Sequence, residues 1–232
     1  MMPCFVNLAL NNLKFGTTII PSARSYNQEM TRLRRLTVAL VTVVALTIIG
    51  VIVLNRHCPV TGIAFSKDQR NSHRLKNRTS LPQPSDFDGR VTLSSLLQPG
   101  EDSTRWSTSR AARLQGYVVA VATTGVELAN CYLPCRRDIH IDVALHADAP
   151  PREHIVLEIT PWMEDLARRQ GIDWSAPTLK QKLMSRWCSF EGWLFFDLNH
   201  AAEAENTAPQ KQGNWRASAW EIHPITKIEV LR

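Results

Sequence analysis

The first 84 residues contain only two acidic side chains, Glu29 and Asp68, against eleven basic ones, a local formal charge of +9. The remaining positions carry 16 basic and 19 acidic groups, so residues 85–232 stand at −3 although the whole chain is +6. That shortage of positive charge counts against nucleic-acid binding, which draws on Lys and Arg clustered on the binding domain itself. The motifs of the familiar enzyme classes are missing as well. There is no Walker loop, dinucleotide glycine fingerprint, HExxH or GxSxG, so phosphate-loop, dinucleotide, zincin and α/β-hydrolase chemistry are disfavoured. Of five cysteines only Cys131 and Cys135 are close in sequence, and no second tight pair completes a paired zinc framework.

Charge and proline are both absent from residues 36–54, LTVALVTVVALTIIGVIVL, whose only hydroxyls are Thr37, Thr42 and Thr47. As a helix this run covers about 28 Å, close to the ~30 Å hydrocarbon thickness of a bilayer. It is expected to be a transmembrane helix in contact with the lipid bilayer. No small-x-small cleavage site follows directly, and no small residues precede Cys58 as they would at a lipoprotein site. Retention as a signal-anchor follows. Arg32, Arg34 and Arg35 crowd its amino side and only Arg56 its near carboxyl side, which places the amino end in the cytoplasm and the C-terminal domain outside it.

Around this span the chain divides into residues 1–35, a cytoplasmic leader in which Met30 is a possible start, and residues 55–87, a basic linker expected to be disordered. Asn77-Arg78-Thr79 in the linker matches a glycosylation sequon. Cys58 is expected as an unmodified thiol. Residues 88–232 are the folded domain. Alternation of apolar and polar residues predicts strands over 113–122, 138–146, 153–160 and 187–196, with a further short strand at 126–129, and two more at 215–222 and 225–231 separated by His223-Pro224. Residues 90–97 suit a short strand or a turn of helix. Helices are predicted over 162–170 and 176–184, after the third strand region. A helical insertion at that point is the order of a five-stranded OB barrel.

The stretches LQGYVVAV and FEGWLFF resemble the first and fourth strands of OB-fold domains, where a glycine permits the bend that closes a small barrel. The ending GNWRASAWEIHPITKIEV, with GWLFFDLNH before it, is similar to a set of uncharacterised bacterial proteins that carry a WRA-x-x-WEIHP motif. The resemblance covers about residues 88–232 and implies a mainly β domain with a helical insertion, a small OB-like barrel. It supplies no activity.

Two constellations could carry chemistry. Cys131, Cys135 and His140 suit either a disulfide or zinc ligands, since thiolate and imidazole both bind that ion. His200, Trp215, Arg216, Trp220, Glu221 and His223 cluster toward the last strand of the barrel, where aromatic planes and polar groups receive ligands. The same residues also admit a plainer role: the tryptophans pack the core, Arg216 pairs with a carboxylate and His223 caps the turn before Pro224. The function expected is a single-pass anchored protein presenting a binding module for a protein, peptide or oligosaccharide, with no cofactor. The alternative is a metal-dependent hydrolase using Cys131, Cys135, His140, His200 and His223.

Overall fold

The computed structural model describes the backbone of residues 23–231, and the side chains from residue 27 onward except at 51 and 54–57. The chain divides into two units, one ending at Gly50 and the other beginning at Val51. The first is carried by helix α1 (Ala23–His57), 35 residues long. Within it Asn27–Gly50 is long and apolar enough to cross a membrane, with a mean hydropathy of 1.8 and none of its residues buried. Thr37, Thr42 and Thr47 each donate their hydroxyl to the carbonyl four residues earlier, at 2.8–2.9 Å, so the few polar atoms of the span are satisfied inside it, as a hydrocarbon environment demands. The helix begins thirteen residues before Leu36, so residues 23–35 of the expected leader are helical; residues 1–22 lie outside the described part.

The second unit is a closed barrel of five strands in the order β1-β2-β3-β5-β4: β1 (Ala111–Thr123), β2 (Ile139–Ala144), β3 (Ile155–Ile159), β4 (Trp187–Phe196) and β5 (Trp220–Val230). Helices α4 (Pro161–Arg169) and α5 (Ala176–Leu183) connect β3 to β4. This is the expected OB-like arrangement, mainly β with a helical insertion. All pairings are antiparallel except β3 with β5. The interior is filled by residues that alternate along the strands, among them Leu114, Val118, Ile141, Val143, Leu157, Phe190, Leu194, Trp220 and Ile222. Helix α3 (Leu93–Leu97), begun by a Thr92–Ser95 capping box, adds Leu93 and Leu96 to this core.

Three sequence expectations are corrected here. Residues 126–129 form no strand; they run into a 3-10 turn at Leu128–Asn130. The last two predicted strands are one, because β5 passes straight through His223-Pro224, a cis peptide. Proline has no N–H to give a ladder, and it sits where the β4 pairing jumps from Gly192↔Ile225 to Leu194↔Ile222, so no ladder bond is lost. Trp215 lies before this strand.

The third correction is the largest. The expected disordered linker 55–87 contains helix α2 (Lys67–Lys76), capped by Ser66, which accepts from the Gln69 N–H. It lacks an apolar stripe and is held by polar groups instead. Asn77, fully buried, donates to the Val60 and Ala129 carbonyls. His73 Nδ1 lies 2.8 Å from the Thr61 carbonyl. Arg78 donates to the Thr108 and Leu194 carbonyls and lies over Trp193. Burial of Asn77 also removes the sequon from use. The folded domain therefore starts near Cys58, and from there on 21 basic and 20 acidic residues give +1 rather than −3.

Gly192 is needed for close approach: a Cβ there would meet the Pro224 carbonyl at 2.3 Å and Ile222 Cγ2 at 2.5 Å. Gly192→Ala should cost about 2 kcal/mol, the scale of overpacking in a full core, read as a lower urea midpoint at unchanged slope.

Candidate functional site

Strand alternation that turns Ile139, Ile141, Leu157 and Ile222 into the barrel turns His140, Asp142, Glu158, Glu221 and His223 outward. Register brings them side by side. His140 pairs with Glu158 across β2 and β3, Leu157 with Ile222 across β3 and β5, and Glu221 with Phe195 across β5 and β4. This outer face is not solvated. Helix α2, the β1–β2 connection and the β4–β5 connection cover it, leaving Asp138, Glu158, Glu221 and His223 buried. Above them lies a cavity of about 790 Å³ lined by α2, the two connections and the outward strand residues.

The buried groups form a chain of alternating charge. Asp197 lies 3.4 Å from Arg216 Nη1, whose Nη2 is 2.7 Å from Glu221 Oε1. Glu221 Oε2 accepts from His223 Nδ1 at 3.1 Å, and Glu158 Oε2 is 3.0 Å from the same nitrogen. Glu158 Oε1 is 3.3 Å from His140 Nδ1, and Asp142 accepts from His140 Nε2 at 2.8 Å. Beneath the cavity, Asn130 donates to Asp138 Oδ1 at 3.0 Å; Asp138 Oδ2 faces His223 Nε2 at 3.7 Å and Lys76 Nζ at 3.9 Å. Lys76 also donates to Glu127 at 2.8 Å.

These contacts decide the ionisation states. Burial opposes the charged form of every member, and the partners outweigh it in most. His140 is raised to about 10 by Asp142 and Glu158 against that burial. His223 is likewise raised, burial being overcome mainly by Glu158. Glu221 is held below the usual carboxylate range because Arg216 and His223 offset its burial. For Asp138 burial dominates and its carboxyl moves up, with His223 and Lys76 only moderating the shift.

Asp142, desolvated but hydrogen-bonded by His140 and His154, is held at about 2. A depressed carboxyl stabilises the fold above its unfolded value near 3.9 and loses that contribution as pH falls through about 2. Asp142→Asn should thus lower stability by about 2 kcal/mol at neutral pH. The gap to wild type should close between pH ~4 and ~2 in acid titrations of unfolding.

At the cavity wall, His200 Nδ1 is 2.5 Å from Asp197 Oδ2, which holds the ring in place and raises its pKa. Trp215 stands between His140 and His200, ring centroids 5.7 Å from each; its indole N–H donates to Glu203, and Arg216 lies over it. Of the sequence-predicted ligand-binding residues, His200, Trp215, Arg216 and Glu221 line the cavity. His223 lies just beneath, fully buried. Trp220 does not reach the cavity: it is in the barrel core, donating to the Asp102 carbonyl at 2.6 Å.

The predicted Cys131, Cys135 and His140 set is not assembled. Cys131 is bonded to Cys58, 73 residues away, and Cys135 is an exposed thiol. Cys58 is therefore not the free thiol expected. Among the described residues the one group of His, Cys, Asp or Glu side chains near enough to share an ion is Asp138, Glu158 and His223. The disulfide takes Cys131 out of the ligand set of the hydrolase alternative, and of its other members only His223 belongs to this group. Sequence reasoning missed Lys76, Asp138 and Glu158; the available signal was Glu158, the one charge among four apolar neighbours in IVLEI. A scan against protein-family models finds none that matches the chain, and a search of curated proteins finds no similar sequence.

Proposed function

We propose that the protein is a single-pass membrane protein whose OB-like domain stands on the extracytoplasmic side and binds a small polar ligand in the cavity between the β1–β2 and β4–β5 connections. The cavity carries the reading. Its volume is that of small-molecule sites, and OB barrels take ligands on the face of their second and third strands between these two connections. Its lining includes five carboxylates, Asp68, Glu127, Glu158, Asp197 and Glu221, beside Lys76, Arg216 and the charged ring of His140. Such a mixed lining, with carboxylates in the majority, suits a ligand rich in hydrogen-bond donors, such as a peptide amino end or an amino-bearing oligosaccharide. The Cys58–Cys131 bond supports the location, since disulfides persist on the oxidising side of a membrane, and it agrees with the Arg32, Arg34 and Arg35 bias.

Both halves are open to test. With Cys4→Ser in place, Cys135 is the accessible thiol of the folded domain, Cys188 being buried. A membrane-impermeant maleimide should label it in intact cells; labelling only after permeabilisation would reverse the orientation. For the ligand, full-length protein in detergent micelles is screened by tryptophan fluorescence against short peptides and amino-bearing oligosaccharides. Asp197→Asn, which loosens His200 and Arg216, should weaken a hit at least tenfold. Unchanged affinity in that variant would remove the cavity as the binding site.

A further inference from the structure

On the cavity floor two buried polar atoms make no hydrogen bond, Asp138 Oδ2 and His223 Nε2, which face each other at 3.7 Å, and Glu158 Oε2 beside them has only its 3.0 Å ion-pair contact with His223 Nδ1. Asp138 and His223 are wholly buried, and one donor atom from each of the three residues lies within 4.8 Å of the others. A buried polar atom left without a hydrogen bond costs about 1–3 kcal/mol, and one ion held between Asp138 Oδ2 and His223 Nε2 would satisfy both. We infer that Asp138, Glu158 and His223 form a binding site for one divalent transition-metal ion beneath the cavity.

The surroundings are those of a metal-binding histidine. His223 Nδ1 donates to Glu221, which is itself fixed by Arg216. This leaves Nε2, on the Asp138 side of the ring, as the ring's free donor atom. A carboxylate holding the far nitrogen of a ligating imidazole is the usual outer support of such sites. The set of one imidazole and two carboxylates suits an ion that accepts mixed nitrogen and oxygen ligands, of the Zn²⁺ or Co²⁺ kind, whereas Ca²⁺ seeks six to eight oxygens. Donors on an ion at about 2.1 Å stand about 3.4 Å apart, so the ion draws the three inward. Lys76 occupies the neighbouring position 3.9 Å from Asp138 and has a second partner, Glu127, at 2.8 Å. It supplies the positive charge in the metal-free protein and keeps Glu127 when the ion enters. Glu158 lines the cavity as well, which gives the ion its route of entry and opens one side of it to whatever the cavity holds.

The test uses full-length protein in detergent micelles, stripped with chelator and titrated with Co²⁺ by visible absorption and with Zn²⁺ by equilibrium dialysis. One equivalent should bind. Asp138→Asn and Glu158→Gln, close in size to the native residues, should each weaken it at least tenfold. Lys76→Met should tighten it, since the competing cation is gone, and His146→Ala, at an exposed turn, should change nothing. Absence of a stoichiometric ion overturns the inference, as does wild-type affinity in both carboxylate variants. Should those variants fail to fold, X-ray absorption of the Zn²⁺-loaded wild type decides: one imidazole with oxygen neighbours supports the site, and sulfur in the shell overturns it. Metal binding is read directly, so its outcome is independent of whether the cavity takes an organic ligand.

Discussion

Reduction of the Cys58–Cys131 bond should lower the stability of the folded domain by about 4 kcal/mol, the chain-entropy value for a loop of this length. The bond spans 73 residues, and up to β1 the enclosed chain is the polar α2 segment, the short helix α3 and the turns between, with Val91, Leu93 and Leu96 as its anchors in the core. Without the crosslink the unfolded chain gains the freedom of that whole loop. The native ends are already well placed, which limits any compensating relief. Cys131 follows the Leu128–Asn130 turn in a left-handed conformation and is buried, while the Ile63 N–H donates to the Leu128 carbonyl at 2.8 Å and so keeps Cys58 close by. Cys58→Ser with Cys131→Ser should behave like the reduced protein. For a domain of this size the loss corresponds to a fall in Tm of about 10 °C, measured by tryptophan fluorescence during heating with and without reductant. Cys135→Ser should leave the midpoint where it was. Equal midpoints for oxidised and reduced protein would mean that the bond constrains nothing.

The same segment marks where the sequence stops being legible. The barrel was readable because its signals are local: alternation in RLQGYVVAVA and DIHIDVALH, a glycine in each of the two bent strands, and helix starts at Pro161 and Ala176. Helix α2 was not, because nothing in KDQRNSHRLK is apolar on one face. Its order comes from Asn77, His73 and Arg78 reaching carbonyls between 17 and 116 residues distant in sequence, or 12 for His73. Local pattern carries no trace of such partners. Cysteine pairing failed for the same reason. Cys131 and Cys135 are near in sequence, yet the left-handed turn at Cys131 and Tyr132 sends the two side chains to different surroundings, one buried and one exposed. The candidate site was half legible. Glu221, His223, Arg216 and His200 stood out as polar residues beside aromatics, whereas Asp138 and Lys76 gained their significance only from the strand register and from α2 packing over it.

Arg216→Gln should cost about 3–5 kcal/mol, the penalty for stripping one partner from a buried charge pair. The guanidinium is fully buried, donates through Nε to the Ser218 carbonyl at 2.8 Å, and lies 2.7 Å from Glu221 and 3.4 Å from Asp197. Glutamine can replace the hydrogen bond to Ser218 but no charge, which leaves Glu221 ionised in a closed interior with only His223 and distant Lys76 to balance it. Arg216→Lys should fall between the two, because an ammonium cannot address the Ser218 carbonyl, Glu221 and Asp197 in one plane. The decisive comparison is Arg216→Gln with Glu221→Gln. Removing both charges withdraws the orphaned carboxylate, so the double variant should be more stable than Arg216→Gln alone, with a coupling of about 1–3 kcal/mol in urea unfolding. Strict additivity would place the cost of Arg216 in its packing against Trp215 and the β4–β5 connection, and Glu221 would then owe its ionised state to His223. A measured coupling instead makes Arg216 the group that lets a carboxylate sit charged beneath the cavity, oriented on His223, which is the arrangement the floor of the site depends on.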